Sequence, residues 1–155
     1  MQINLVGLKL GIAQAFEYKV PAKSLEADSP SYDFLGDVKV TGNVTFLGDD
    51  YRVEGEIYST KHFSCDRCLV ESTKEQVIPF SEDFSPEDLA DKSIDLRDLV
   101  RDVLVSSQSL LNLCKDDCKG LCSRCGENLN LRECGCDRLV VDPRLAVLQD
   151  LFPTK

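Results

Sequence analysis

Apolar and polar residues alternate along residues 37–46, where Val38, Val40, Val44 and Phe46 fall on one side of an extended chain. After the turn signal Leu47-Gly48-Asp49-Asp50 the alternation resumes with Tyr51, Val53 and Ile57, the pattern of a β-hairpin with one buried face. Weaker patterns of the same period predict strands at residues 2–8, 14–20 and 73–80, and the Pro, Ser and acidic residues of 22–32 predict a loop. Short strands that follow one another without helices pair with their neighbours, so residues 1–84 predict an antiparallel sheet or partial barrel.

The period then changes from two to 3.6. From Asp95, placed as an N-cap, Leu96, Leu99, Val100, Val103, Leu104, Leu110 and Leu111 form one stripe, with Arg97, Asp98, Arg101 and Asp102 on the other side. This predicts a long amphipathic helix of about four turns packed on the sheet. Asp142-Pro143 starts a short final helix through Leu145, Leu148 and Leu151, which Pro153 ends. No internal repeat and no low-complexity segment stands out. The fold class is therefore α+β, with a β-rich domain and its helix in residues 1–113 and a cysteine-rich element with the terminal helix in 114–155.

Composition narrows the functions. The chain has 155 residues, 43% of them hydrophobic, enough for one domain with its own core. Its net charge is -9, and all of that acidity lies upstream: residues 1–113 carry 11 basic and 20 acidic residues, residues 114–155 seven of each. This balance opposes sequence-independent binding to phosphates. Residues 82–102 alone hold eight acids, a solvated face or a docking surface for a basic partner, with Glu87, Asp88 and Asp91 as candidate contacts. Residues 1–8 do not read as a secretory leader, and no stretch has the length of a membrane span, so the expected compartment is the reducing cytoplasm with no membrane partner.

In that compartment clustered cysteines are metal ligands more often than disulfides. Six of the eight fall within 23 residues: Cys114, Cys118, Cys122, Cys125, Cys134 and Cys136. Zinc takes four thiolates in a tetrahedron, and Cys122-Ser123-Arg124-Cys125 followed by Gly126 has the spacing of a zinc knuckle. Cys134 and Cys136 return after a loop long enough to complete that site. Cys114 and Cys118 are alternative ligands, expected at i, i+4 on one face of a continuing helix. Cys65 and Cys68 form a lone upstream pair, read as a share in a second zinc site, as two buried thiols, or as a redox pair. His62, the single histidine, is expected to be an ordinary surface residue. There is no nucleophile motif, phosphate loop or cofactor fingerprint, and a thiolate cluster with ligands to spare marks a structural site rather than a catalytic one. The chain therefore reads as a non-enzyme with structural zinc and no small-molecule substrate.

Taken together, the segment from Cys118 through Cys125 to Asn130, the pair Cys134 and Cys136, and Asp142-Pro143-Arg144-Leu145-Ala146-Val147-Leu148 resemble the C-terminal half of the bacterial YceD family. Cys65-Asp66-Arg67-Cys68-Leu69 and Ile94-Asp95-Leu96 match it as well. The resemblance implies a small cytoplasmic protein associated with the accumulation, processing or stability of 23S ribosomal RNA. It implies no catalytic residues, and other members lack part or all of the cysteine cluster. Two mechanisms fit. An adaptor would bind a basic ribosomal protein or assembly factor of the large subunit through residues 82–102. A direct RNA-binding zinc protein would use Lys115, Lys119, Arg124, Arg132 and Arg138 as phosphate contacts. A thiol–disulfide protein acting through Cys65 and Cys68 is the third reading.

Overall fold

The computed structural model of the chain describes residues 1–89 and 92–137. Its strands are β1 (Gln2–Asn4), β2 (Ala13–Pro21), β3 (Tyr32–Phe46), β4 (Tyr51–Ser64), β5 (Glu71–Phe84) and β6 (Ser93–Asp95), and helix α1 (Arg97–Ser106) follows. Strands β2 to β5 form one antiparallel sheet in sequence order, while β1 pairs with β6 in a separate two-stranded ribbon. Among the described residues no helix is long and apolar enough to cross a membrane.

Alternation decides which face is buried. Val38, Val40 and Val44 of β3 and Val53 and Ile57 of β4 are fully buried on the inner face. Against them pack Val100 and Leu104 of α1, Ala22 and Leu25 of a 3-10 turn, and Ile3, Ile94 and Leu96 around the ribbon. Each such side chain contributes about 1.5–3 kcal/mol relative to leaving it in water. The outer face carries Glu17, Lys39, Glu54 and Glu56 and stays open to solvent.

Gly42 and Gly55 stand directly opposite each other in the β3–β4 register, an arrangement that lets a sheet bend. A Cβ on Gly55 would strike the Thr41 carbonyl oxygen and come within 2.8 Å of the Gly42 Cα, so only glycines permit this approach of the two backbones. The Phe16 ring reaches across from β2 and covers the Gly42 position. Over the same stretch the outer face carries a shallow saddle, lined among others by Glu17, Thr41, Glu54, Glu56 and Pro79, with a volume of about 810 Å³.

Three expectations are corrected. The expected antiparallel sheet is present, but its strands are long, up to 15 residues in β3, and it is an open meander, so the short strands and the partial-barrel alternative do not hold. The apolar residues near the N-terminus give only the three residues of β1, which leave the main sheet for β6. The helix is ten residues long and stops at Ser106, well before Leu110 and Leu111, both of which are exposed. Its end has a local cause: the side chains of Ser106, Ser107 and Gln108 donate to the carbonyls of Val103 and Leu104, offering the last turn partners other than further helix. Asp95 still serves the helix start, since its Oδ1 accepts the Arg97 amide at 3.0 Å, although Leu96 holds the cap position. The expected final helix over residues 142–152 lies outside the described residues. Replacing Gly55 by Ala should cost about 1–3 kcal/mol or more through overpacking between the two strands, measured as a drop in the denaturant midpoint with an unchanged slope.

Candidate metal centres

Two turns of the same construction carry the cysteines. In the β4–β5 connection the Cys65 amide donates to the Val70 carbonyl at 3.0 Å and the Leu69 amide to the Cys65 carbonyl at 2.8 Å. In the C-terminal element the Cys122 amide donates to the Glu127 carbonyl at 2.8 Å and the Gly126 amide to the Cys122 carbonyl at 2.9 Å. Both turns pass through the left-handed region just after the second cysteine, at Leu69 (φ 57°) and Gly126 (φ 73°). The sequences agree as well, Cys65-Asp66-Arg67-Cys68 against Cys122-Ser123-Arg124-Cys125. That repeated Cys-x-Arg-Cys was the signal that the first pair is a knuckle like the second.

The fold gathers the eight sulfurs into two quartets, Cys65 with Cys68, Cys114 and Cys118, and Cys122 with Cys125, Cys134 and Cys136. Within each, all Sγ atoms lie within 4.8 Å of one another. Cys65 Sγ is 3.8 Å from Cys118 Sγ, and Cys68 Sγ is 3.6 Å from Cys114 Sγ. A tetrahedron with metal–sulfur bonds of about 2.3 Å has an edge of about 3.8 Å, so these separations fit a closed four-thiolate site. Cys114 and Cys118 thus join the upstream pair and not the second knuckle. They also sit beyond the end of α1, not on a helix face, because the helix has already ended at Ser106. The separation in sequence hid this grouping, since nothing local links residue 65 to residue 118. The upstream pair is not alone, as a redox motif would be, and both its thiols are buried.

Backbone amides stabilise thiolates in both quartets. Burial opposes the charge on Cys65, yet amides of Cys114, Arg67 and Cys68 bring its thiol down to about 6. The amides of Cys125 and Arg124 do the same for Cys122, also to about 6. Their partners move the other way. Burial and the neighbouring sulfurs push Cys114 up to about 12, and a shared hydrogen bond with Cys125 together with burial pushes Cys136 up to about 12. Each quartet therefore resists full ionisation unless a cation balances it. A soft divalent cation such as zinc fits this donor set, and its binding displaces protons.

Polar side chains that sequence reasoning passed over tie the centres together. Asn130 Nδ2 donates to Cys118 Sγ at 3.3 Å and its Oδ1 accepts the Lys119 amide at 2.9 Å, so one residue of the second loop holds a ligand of the first quartet. Gly120 (φ 73°) passes close to the Arg67 backbone, where an added Cβ would meet the Arg67 carbonyl oxygen at 3.0 Å. The Leu121 amide donates to that same carbonyl at 3.1 Å, and Arg67 Nη1 donates to the Cys118 carbonyl at 3.0 Å. Near the first quartet Asp66 and Asn112 exchange backbone contacts, with the Asn112 amide donating to Asp66 Oδ2 at 2.6 Å.

Two of the candidate RNA contacts are paired with carboxylates. Lys115 pairs with Asp117 at 3.7 Å and Arg132 pairs with Glu127, leaving Lys119 and Arg124 exposed, while Arg138 lies outside the described residues. Of the docking candidates Glu87, Asp88 and Asp91, only the Glu87 side chain is described, and it is exposed; its neighbour in charge, Asp83, is paired with Arg52 at 2.8 Å. His62 is half-buried between two carboxylates, with Nδ1 2.8 Å from Asp33 and Nε2 3.3 Å from Glu71.

Loading the protein with zinc at neutral pH should release roughly one or more protons per quartet, read with a pH indicator in weak buffer. Protons compete with the cation, so affinity should fall as pH drops through about 6, where Cys65 and Cys122 also protonate. Native mass spectrometry should find two ions per chain, one in Cys68→Ser or in Cys125→Ser. Asn130→Ala should weaken the first site by about 10–100-fold.

Comparison with known proteins places the C-terminal half of the chain in a family. The family model "Large ribosomal RNA subunit accumulation protein YceD" matches residues 70–152, more than half of the chain. A curated relative, "Large ribosomal RNA subunit accumulation protein YCED homolog 1, chloroplastic" of Arabidopsis thaliana, is 40% identical over 47 residues. That stretch is 30% of this chain and 15% of the relative, so the chain matches only a small part of the plant protein. No solved structure matches. On the span of the family match, the chain belongs to the YceD family.

Proposed function

We propose that the protein supports accumulation of 23S ribosomal RNA in the cytoplasm as a non-catalytic adaptor, binding a basic large-subunit ribosomal protein or assembly factor, with structural zinc in both quartets. Its family supports a role in large-subunit biogenesis. The observation that carries the adaptor reading is the acidic saddle on the outer face of the sheet. In one row across the strands stand Glu17, Thr41, Glu56 and Pro79, and Glu54 lies in the next. Among the described residues neither Glu54 nor Glu56 forms an ion pair with a lysine or arginine, although Glu56 accepts the Tyr58 hydroxyl at 2.5 Å. A concave acidic surface of this kind suits a basic protein segment and repels nucleic-acid phosphates.

Zinc has a fold-supporting part in this reading. Among the described residues after 113 only Cys118, Gly120, Cys122 and Leu129 are buried, too little apolar surface to hold the element together. Structural zinc in small cysteine sites contributes about 10–16 kcal/mol, which outweighs that deficit.

The zinc-loaded protein should retain a basic protein from a set of purified large-subunit ribosomal proteins. The double variant Glu54→Gln, Glu56→Gln should weaken that complex at least about fivefold and flatten its salt dependence. Retention of full affinity by this variant and by Glu87→Gln would overturn the adaptor reading, and tight binding of large-subunit RNA fragments alone would replace it with direct RNA contact.

A further inference from the structure

Beyond the end of α1 the inner face of the sheet turns from apolar to polar. Ser59 and Lys61 of β4 stand opposite Gln76 and Lys74 of β5, and Gln76 Nε2 donates to Ser59 Oγ at 3.1 Å. Lys61, Lys74 and Gln76 line a cleft of about 420 Å³ whose other wall comes from the segment after the helix, including Ser107, Gln108 and Asn112.

The charges in this cleft are not balanced. Lys61 is only 5% exposed. Its ammonium donates to Asn112 Oδ1 at 2.7 Å and sits 4.4 Å from the centre of the Tyr32 ring and 5.6 Å from that of Phe63. An ammonium has three N–H groups, and Asn112 is the one oxygen partner this one has among the described residues. Lys74, its direct partner across the strands, forms no ion pair among the described residues. Like charges directly opposed on a sheet are destabilising, and burying one of them raises the cost. Burial and Lys74 accordingly push the Lys61 pKa below the usual lysine range. Asp66 offsets part of this charge from a distance, but its Oδ2 accepts the Asn112 amide and it forms no ion pair with either lysine, and Asp116, which also lines the cleft, pairs with neither.

We propose that this cleft is a binding site for a phosphate group, held between the ammonium groups of Lys61 and Lys74. A tetrahedral anion accepts hydrogen bonds from both cations, supplies the missing charge and turns a repulsive cross-strand pair into a favourable one. The site is small, so it takes one phosphate or one step of an RNA backbone. It is independent of the acidic saddle, which lies on the opposite face of the sheet.

The test titrates the full zinc-loaded chain with inorganic phosphate and, separately, with a 5′-phosphorylated oligoribonucleotide, by calorimetry and by side-chain ammonium NMR shifts. Saturable binding is expected, weakened about tenfold or more by Lys74→Gln and by Lys61→Met. In phosphate-free buffer Lys74→Gln should raise the Tm by about 1–3 °C, because it removes the repulsion. Binding of the free ion without preference for RNA identifies phosphate itself as the ligand. Tighter RNA binding, with a salt slope that falls by about 0.7 in Lys74→Gln, identifies the backbone. Absence of saturable binding by both probes, binding that both variants retain, or equal competition by a polyglutamate peptide would overturn the proposal. Partner capture is read at Glu54 and Glu56, so failure of the adaptor reading and failure of this one are told apart.

Discussion

Four sulfurs held within 4.8 Å of one another cannot all ionise unless a cation balances them, and the molecule gathers such a quartet in two places. In the first, the turn between β4 and β5 brings two sulfurs from the end of the sheet to two from the segment after α1. Between them the segment after the helix runs along the sheet beside Lys61 and Phe63, and the Asn112 amide donates to Asp66 Oδ2 next to the turn. The second quartet closes within the C-terminal element and leans on the first through Asn130 and the narrow crossing of Gly120 over Arg67.

The sheet serves two surfaces with one alternating pattern. Inner positions bury valines and isoleucine under α1, and outer positions on the same strands present glutamates. Opposed glycines bring the two central backbones close together beneath the hollow of the outer surface. Past the helix Lys61 and Lys74 take inner positions, with the rings of Tyr32 and Phe63 beside the Lys61 ammonium. The protein thus separates an acidic exterior from a small cationic recess across one layer of backbone.

Much of this was legible in the residues. Period-two alternation located the β3–β4 hairpin, and Cys122-Ser123-Arg124-Cys125-Gly126 marked its knuckle, because both are local patterns with a direct geometric meaning. The helix was overextended because Leu110 and Leu111 continue its stripe in sequence. Three successive polar residues, Ser106, Ser107 and Gln108, decided otherwise through hydrogen bonds to the preceding turn. The partition of the cysteines and the opposition of Lys61 to Lys74 depend on strand register between distant segments, which no local pattern carries. Leu69 in a left-handed conformation hid the first knuckle further, since a glycine normally marks that position.

The two quartets also differ in how far apart their ligands lie along the chain. Cys68 and Cys114 are separated by 46 positions, whereas Cys125 and Cys134 are separated by only nine. Closing the longer loop costs about 1.4 kcal/mol more in chain entropy, before the sheet that must carry its turn into place is considered. A chain whose strands are unpaired therefore keeps the sulfurs of the second quartet within short reach of one another, whereas those of the first come together only where the sheet sets the β4–β5 turn opposite the segment after α1.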